Sequence, residues 1–151
     1  MSDVQLVIFK LNHEVCGANI SQVHEIIRYQ EVSKIPELPA FVEGVVNLRG
    51  KVIPVIDLNK RFSLGAREAD KKTKIIVTEI ESQYIGFRVN DVNEIMQIPE
   101  QDIDNSVQLM QSMGVRNYMA GIAKNDEQLI AIIDLHKVLQ YQEMEQIKNT
   151  Q

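Results

Sequence analysis

No disulfide can form within this chain, because Cys16 is its single cysteine. The same scarcity excludes a Cys-rich zinc site and fits a reducing compartment, where a lone cysteine serves as a small buried apolar side chain. No apolar run is long enough for a membrane span or the core of a signal peptide, and Met1-Ser2-Asp3 leads into Leu6–Leu11 without a basic stretch. The sequence therefore predicts a cytoplasmic protein. Tryptophan is absent and the four tyrosines are scattered, so the aromatic groove with which ordinary SH3 domains grip proline-rich peptides is missing. Seven glycines and four prolines, nowhere clustered, leave no low-complexity linker. Positive charge is in deficit: sixteen Lys and Arg stand against twenty-one Asp and Glu, a net charge of −5. That balance opposes the phosphate attraction on which nucleic-acid binders depend.

What is present is a globular composition, 44% hydrophobic and 25% charged over 151 residues, enough for one domain or two small ones with a real core. One segment is locally basic: Arg49, Lys51, Lys60, Arg61, Arg67, Lys71, Lys72 and Lys74 are set against Asp57, Glu68 and Asp70. Such a run is ordinarily a solvated face. The alternative is a partner patch, and a small β-barrel nucleic-acid binder using residues 49–74 is the competing reading, although stacking aromatics should then be interleaved and only Phe62 lies there.

The chain also repeats itself. Leu6-Val7-Ile8 through Gly17 to Val23-His24-Glu25-Ile26 aligns with Ile75-Ile76-Val77 through Gly86 to Val92-Asn93-Glu94-Ile95 at an offset of 69. Gly44–Lys60 aligns with Gly121–Lys137 at an offset of 77, matching Ile53/Ile130, Ile56/Ile133, Asp57/Asp134, Leu58/Leu135 and Lys60/Lys137. Each copy opens with two strands about a polar turn, Val4–Lys10 with Asn12-His13-Glu14 and Lys74–Ile80 with Glu81-Ser82-Gln83. Asn19 then predicts the cap of a helical turn carrying Ile20, Val23 and Ile26/Ile27, with Gln22 in the capping-box position and Asn90 or Asp91 as the counterpart cap. A hairpin follows, turning at Arg49-Gly50 in the first copy and at Asn125-Asp126 in the second. Asp57 and Asp134 predict helix N-caps, ahead of Leu58/Phe62 and Leu135/Val138/Leu139, and the last helix is expected to reach about Ile147.

Short strands with helices at the joints predict a mainly β fold: two small closed or nearly closed barrels sharing a hydrophobic core, with short helices and a C-terminal helix. Residues 1–151 form a single domain in this reading. Its modules are either 15–72 against 1–14 with 73–151, or the simple halves 1–72 and 73–151, with strand exchange left open. Pro54 cannot donate to a ladder, so its stretch is expected at an edge or bulge, as an unpaired rim of the first module.

Chemistry is harder to find. Gly44-Val-Val-Asn-Leu-Arg-Gly50-Lys51 has five residues between its glycines instead of four and Val52 where a Mg²⁺-binding hydroxyl is needed, so it is no phosphate loop, and no G-x-G-x-x-G occurs. His13-Glu-Val-Cys-Gly17 and His24-Glu-Ile-Ile-Arg28 each lack the second histidine of a zinc protease. His13, His24 and His136 fall in separate elements, and no serine lies in a G-x-S-x-G setting. The sequence therefore predicts no catalytic, metal or cofactor residue, and a binding protein rather than an enzyme.

The stretch from Ile35-Pro36-Glu37-Leu38-Pro39 through Val42-Glu43-Gly44-Val45-Val46-Asn47-Leu48-Arg49-Gly50 to Ile53-Pro54-Val55-Ile56-Asp57-Leu58 resembles the signature of the CheW-like domain of chemotaxis coupling adaptors. Val23-His24-Glu25-Ile26 is similar to that family's Val-x-Glu-Ile element, whereas Val89-Asn90-Asp91-Val92 departs from its usual Val-Asp-x-Val. The resemblance implies two SH3-like five-stranded barrels on one core and a stand-alone scaffold without enzymatic activity. It also implies binding to the regulatory domain of the chemotaxis histidine kinase (CheA), to the hairpin tips of methyl-accepting receptors in a groove between modules, and recruitment to membrane receptor arrays, with ring or array assembly. The partner-binding residues it points to are Arg49, Glu25, Val23, Gly44, Asn47, Leu48 and Pro54. Arg49 would ordinarily be a solvated turn charge, but within Asn-Leu-Arg-Gly it reads first as a partner-binding residue; Glu25 could equally be a solvated acid, and Val23 and Gly44 read first as core and backbone geometry.

Overall fold

In the computed structural model, which describes residues 2–112 and 118–150, eleven strands form two curled sheets. The strands are β1 (Asp3–Leu11), β2 (Glu14–Asn19), β3 (Glu25–Arg28), β4 (Gly44–Leu48), β5 (Lys51–Asp57), β6 (Lys74–Ile80), β7 (Gln83–Val89), β8 (Asp91–Pro99), β9 (Ile103–Asp104), β10 (Met119–Asn125) and β11 (Gln128–Ile133). Three helices accompany them: α1 (Leu58–Arg61), α2 (Val107–Ser112) and α3 (Tyr141–Thr150). One sheet has the order β3-β6-β7-β5-β4 and the other β8-β1-β2-β11-β10-β9. The second exceeds the expected five strands by β9, two residues paired to β10 at Asp104↔Ile122 and Ile103↔Ala123.

The exchange that the sequence left open is reciprocal. Hairpin β1–β2 of the first copy joins residues 91–133 in the six-stranded sheet, while hairpin β6–β7 of the second copy joins β3, β4 and β5 in the other. Each hairpin meets its new sheet along a parallel seam, at Gly17↔Ile132 and Gly86↔Val55, which the repeat makes equivalent.

This arrangement explains why β1 and β6 are apolar almost throughout. Leu6 and Ile8 of β1 enter a core inside the six-stranded sheet with Ile98, Ala123, Ile130 and Ile132. Phe9 and Leu11 belong to a second core, shared with Ile76, Ile80, Ile85 and Phe87 of the five-stranded sheet. Ile75 and Val77 of β6 line a third, with Val46, Ile53 and Val55. Strands covered on both faces need no polar alternation. Cys16 packs in the shared core, 5% exposed, and burial together with the charge of Glu14 pushes its thiol up to about 12.

The helical turn expected after Asn19 is cut short. Asn19 caps a 3-10 turn of three residues, Ile20–Gln22, by accepting from the Ser21 amide at 3.0 Å. Ile26 and Ile27 then lie in β3 opposite Ile76 and Ile75, because pairing with β6 overrides a short helical periodicity. Gln22 closes no capping box; it donates to Asp134 Oδ1 at 2.8 Å and accepts from the Leu135 amide at 2.9 Å. In the second copy Asn90 and Asp91 cap no helix. Asn90 Oδ1 instead accepts from the Asn12 amide and from Asn59 Nδ2 at 2.7 Å, and Asp91 begins β8.

Asp57 does cap α1, its Oδ1 accepting from the Asn59 amide at 2.9 Å. Asp134 makes the same bond to the His136 amide at 3.0 Å, yet only a turn follows, and the helix begins at Tyr141. The second hairpin turns at Asp126-Glu127, with Asn125 still paired to Gln128. Pro54 corrects a further expectation: it is buried within an inner strand between β7 and β4, so it forms no exposed rim. Its missing N–H is tolerated because the β5–β7 ladder starts one residue later, at Val55.

Helix α3 is pinned by a two-fold ion pair, Arg61 Nη1 and Nη2 to Glu143 Oε2 and Oε1 at 2.6 and 2.5 Å. Burial pushes the Glu143 carboxyl up, but the Arg61 guanidinium and the Gln140 amide outweigh it and hold it below its ordinary range. A depressed folded pKa contributes stability above the unfolded value that is lost as pH falls through the folded one. Acidification should therefore loosen α3 in the native chain and not in Glu143→Gln, as followed by helical circular dichroism; equal acid sensitivity in both would contradict the tether.

The five-stranded sheet closes through its outer strands. Ser33, beyond the end of β3, bridges Val45 of β4, with Ser33 N–H to Val45 O at 2.8 Å and Val45 N–H to Ser33 O at 2.9 Å. Gly44 permits the approach: a Cβ there would lie 2.8 Å from both the Ser33 carbonyl oxygen and Val32 Cβ. Gly44→Ala should accordingly cost about 2 kcal/mol or more of unfolding free energy by urea titration, since backbone must shift to admit the methyl group. Near-native stability would show that the bridge yields easily.

Candidate partner-binding surface

The motif-bearing hairpin β4–β5 ends in a two-residue turn, Arg49-Gly50, with φ of 50° and 86°. Positive φ at both central positions is the pattern of a type I′ turn, which prefers Asn-Gly and disfavours a branched or bulky L-residue at the first site. Asn47 braces the turn by accepting from the Gly50 amide at 2.9 Å. Arg49 thus occupies a position that backbone preference alone would give to asparagine or glycine.

Curling of the sheet brings this turn, at one edge, over β3 at the other. Arg49 Nη2 donates to Glu25 Oε1, while 69% of the Arg49 side chain stays exposed. His24, Glu25, Leu48, Arg49, Lys51, Ile53, Val77 and Tyr84 surround an opening of about 230 Å³ at this end of the barrel. Tyr84 is the aromatic residue of this lining, with the His24 ring 4.8 Å away centroid to centroid and Lys51 Nζ 4.4 Å from its ring centre. Arg49 and Lys51 stand there against Glu25 alone, so the mouth is locally positive on an acidic chain. Exposed charge around a small apolar recess can bind a partner that supplies carboxylates and one apolar side chain.

The residues singled out in the sequence divide in two. Glu25, Leu48 and Arg49 share the mouth, and Asn47 holds its turn. Val23, Gly44 and Pro54 lie elsewhere: Val23 packs partly buried on the shared core, and Gly44 and Pro54 are buried toward the opposite end of the hairpin. His24, Lys51 and Tyr84 were missed. Lys51 adjoins the turn and could have been added from the hairpin pattern; Tyr84 enters through its pairing with Glu79 in β6–β7, for which the sequence carries no signal. Among the described residues no three His, Cys, Asp or Glu side chains gather as a metal site would need.

The fold agrees with that of relatives. The family description "CheW-like domain" fits residues 5–143, and the chain belongs to that family of chemotaxis scaffolds, which are not enzymes. It is 30% identical to chemotaxis protein CheW of Treponema pallidum over 96% of this chain and 87% of that one, and 30% identical to CheW of Bacillus subtilis over 89% and 86%. The crystal structure of scaffolding protein TtCheW from Thermoanaerobacter tengcongensis superposes with a TM-score of 0.82 at 39% identity, covering 95% of this chain and 92% of that one.

Because the turn is strained by Arg49 and the ion pair with Glu25 is largely exposed, worth at most about 1 kcal/mol, Arg49→Asn should leave stability unchanged or slightly raised. A loss above about 1 kcal/mol in chemical denaturation would make Arg49 a structural residue.

Proposed function

We propose that the chain is a non-enzymatic adaptor coupling methyl-accepting receptors to the chemotaxis histidine kinase, with the barrel mouth around Arg49 and Glu25 as the surface for the kinase's regulatory domain. The observation that carries this is Arg49 itself: a mostly exposed guanidinium kept in a backbone position where asparagine would fit better, within the family's Asn-Leu-Arg-Gly element. A solvated charge gives no reason for that placement. Recognition by a guanidinium fork does, since it can hold a carboxylate or backbone carbonyls in fixed geometry.

The receptor tip belongs to the groove between modules, and recruitment to membrane arrays follows from the partners. No described helix is long and apolar enough to cross a membrane. The nucleic-acid reading loses its one aromatic and one of its cations, because Phe62 is 9% exposed and stacked on Tyr118 at 4.2 Å, and Arg61 is taken up by Glu143. Neither is then available to a nucleotide.

Binding of the kinase regulatory domain by titration calorimetry tests the assignment. Arg49→Ala and Arg49→Lys should each cost about 2 kcal/mol, roughly thirtyfold in affinity, with melting temperature close to wild type. Substitutions at Lys124 and Gln128 on the opposite hairpin should change it little. Native affinity in Arg49→Ala, or a large loss from the Lys124 and Gln128 changes, would move the kinase surface to the other sheet.

A further inference from the structure

A second recess lies at the other end of the same hairpin. Residues 34–43, which lead from the Ser33 bridge into β4, arch beside α1 and enclose a half-open groove of about 540 Å³. Its walls are Ile35, Leu38, Pro39, Ala40 and Phe41; Leu38 and Phe41 are anchored on the shared core, and Ile35 is 47% exposed at the lip. The volume lies within the range of ordinary ligand and anchor-residue sites.

The charges around it are unequal. Arg61 is saturated by Glu143, and Arg88 by Glu43 at 2.6 Å and the Arg67 carbonyl at 2.7 Å, while the buried Asp57 carboxylate, also in the wall, lies 4.0 Å from Arg88 and shares its charge with Glu43. Lys34 and Lys60, on the same rim, make neither an ion pair nor a side-chain hydrogen bond with any described residue. Two unneutralised ammonium groups beside an apolar recess, on a chain of net charge −5, favour an anionic occupant. A third feature narrows its nature. Glu43 lines the groove with its side chain nine-tenths buried, and its Oε2 is shielded from water without a hydrogen-bond partner. Buried polar atoms are nearly always satisfied, so an acceptor left unfilled in the wall of a recess is met by a donor once the wall opens around a ligand. A simple organic anion brings charge and apolar bulk but no donor. An acidic peptide brings carboxylates, an apolar anchor and backbone N–H groups on consecutive residues.

We propose that the groove between residues 34–43 and α1 is a docking site for an acidic peptide segment of a partner protein, anchored by one bulky apolar side chain, and separate from the surface around Arg49. The two surfaces are spaced by the length of β4, about 13 Å for the four steps between its five residues at ~3.3 Å each.

The test is fluorescence anisotropy on the full chain with a fluorescein-labelled peptide in which one phenylalanine is flanked by aspartates and glutamates. The comparison probes are its lysine-flanked analogue and 8-anilino-1-naphthalenesulfonate. The acidic peptide should bind and should shift the amide resonances of Ile35, Leu38, Phe41 and Lys60. The double variant Lys34→Glu/Lys60→Glu, with unchanged melting temperature, should bind at least about tenfold more weakly, and Arg49→Ala as wild type. Equal binding of the basic peptide, undiminished binding by the double variant, or shifts centred on Arg49 would overturn the proposal. Binding of the naphthalenesulfonate at these residues without binding of the acidic peptide would overturn it in favour of a small organic anion. Loss of kinase binding in Arg49→Ala bears only on the other surface, so the two assignments fail separately.

Discussion

The backbone bridge between Ser33 and Val45 is the constraint on which the Arg49 end of the five-stranded sheet depends. A sheet with free edges exposes unpaired N–H and C=O groups, and closing it removes them. Here closure needs a segment to pass within van der Waals distance of Gly44, where any side chain would strike backbone. The same curl sets β3 beneath the β4–β5 turn and so puts Glu25 within reach of Arg49. Glycine at position 44 and arginine at position 49 are thus two ends of one device: one lets the edges meet, the other is presented where they meet.

The duplicated sequence adds a second level. Each copy surrenders its first hairpin to the other's sheet, so neither sheet is made of one repeat alone, and the shared core draws on both. Gln22 of one copy reaches Asp134 and Leu135 of the other, adding a polar link across the joint. Such mutual dependence fixes the orientation of the sheets. The copies differ where they face outward. The αL turn position held by Arg49 in one hairpin is held by Asp126 in the other, so the two ends present opposite charge on similar backbones.

Much of this was legible in the residues. Runs rich in valine and isoleucine beside polar turns located β1 and β6, the Arg49-Gly50 turn located the β4–β5 hairpin, and the offsets of 69 and 77 exposed the duplication. Asp57 read correctly as a cap, because capping is a bond between near neighbours. What escaped depended on distant pairing. The spacing of Ile20, Val23 and Ile26 resembles a helical stripe, and only β6 alongside converts its end into a strand. Pro54 pointed to an edge, but strand order decides edges, and one-sided pairing over a single residue was enough to seat it inside the sheet. At the mouth, the motif named Glu25, Leu48 and Arg49. Tyr84 was invisible because nothing near it in the chain marks it; the β6–β7 hairpin alone carries it there.

The ion pair between Glu25 and Arg49 could close the sheet, present the guanidinium to a partner, or do both, and exchanging its ends separates these roles. In Glu25→Lys/Arg49→Glu the intramolecular attraction survives while the charge offered to the partner is reversed. Receptor-coupled kinase activation should be measured with this double variant beside wild type, with melting temperature as the check on folding. Native stability with activation lost is the expected result. Native stability with full activation would contradict a partner role for Arg49 and leave the pair as a clasp.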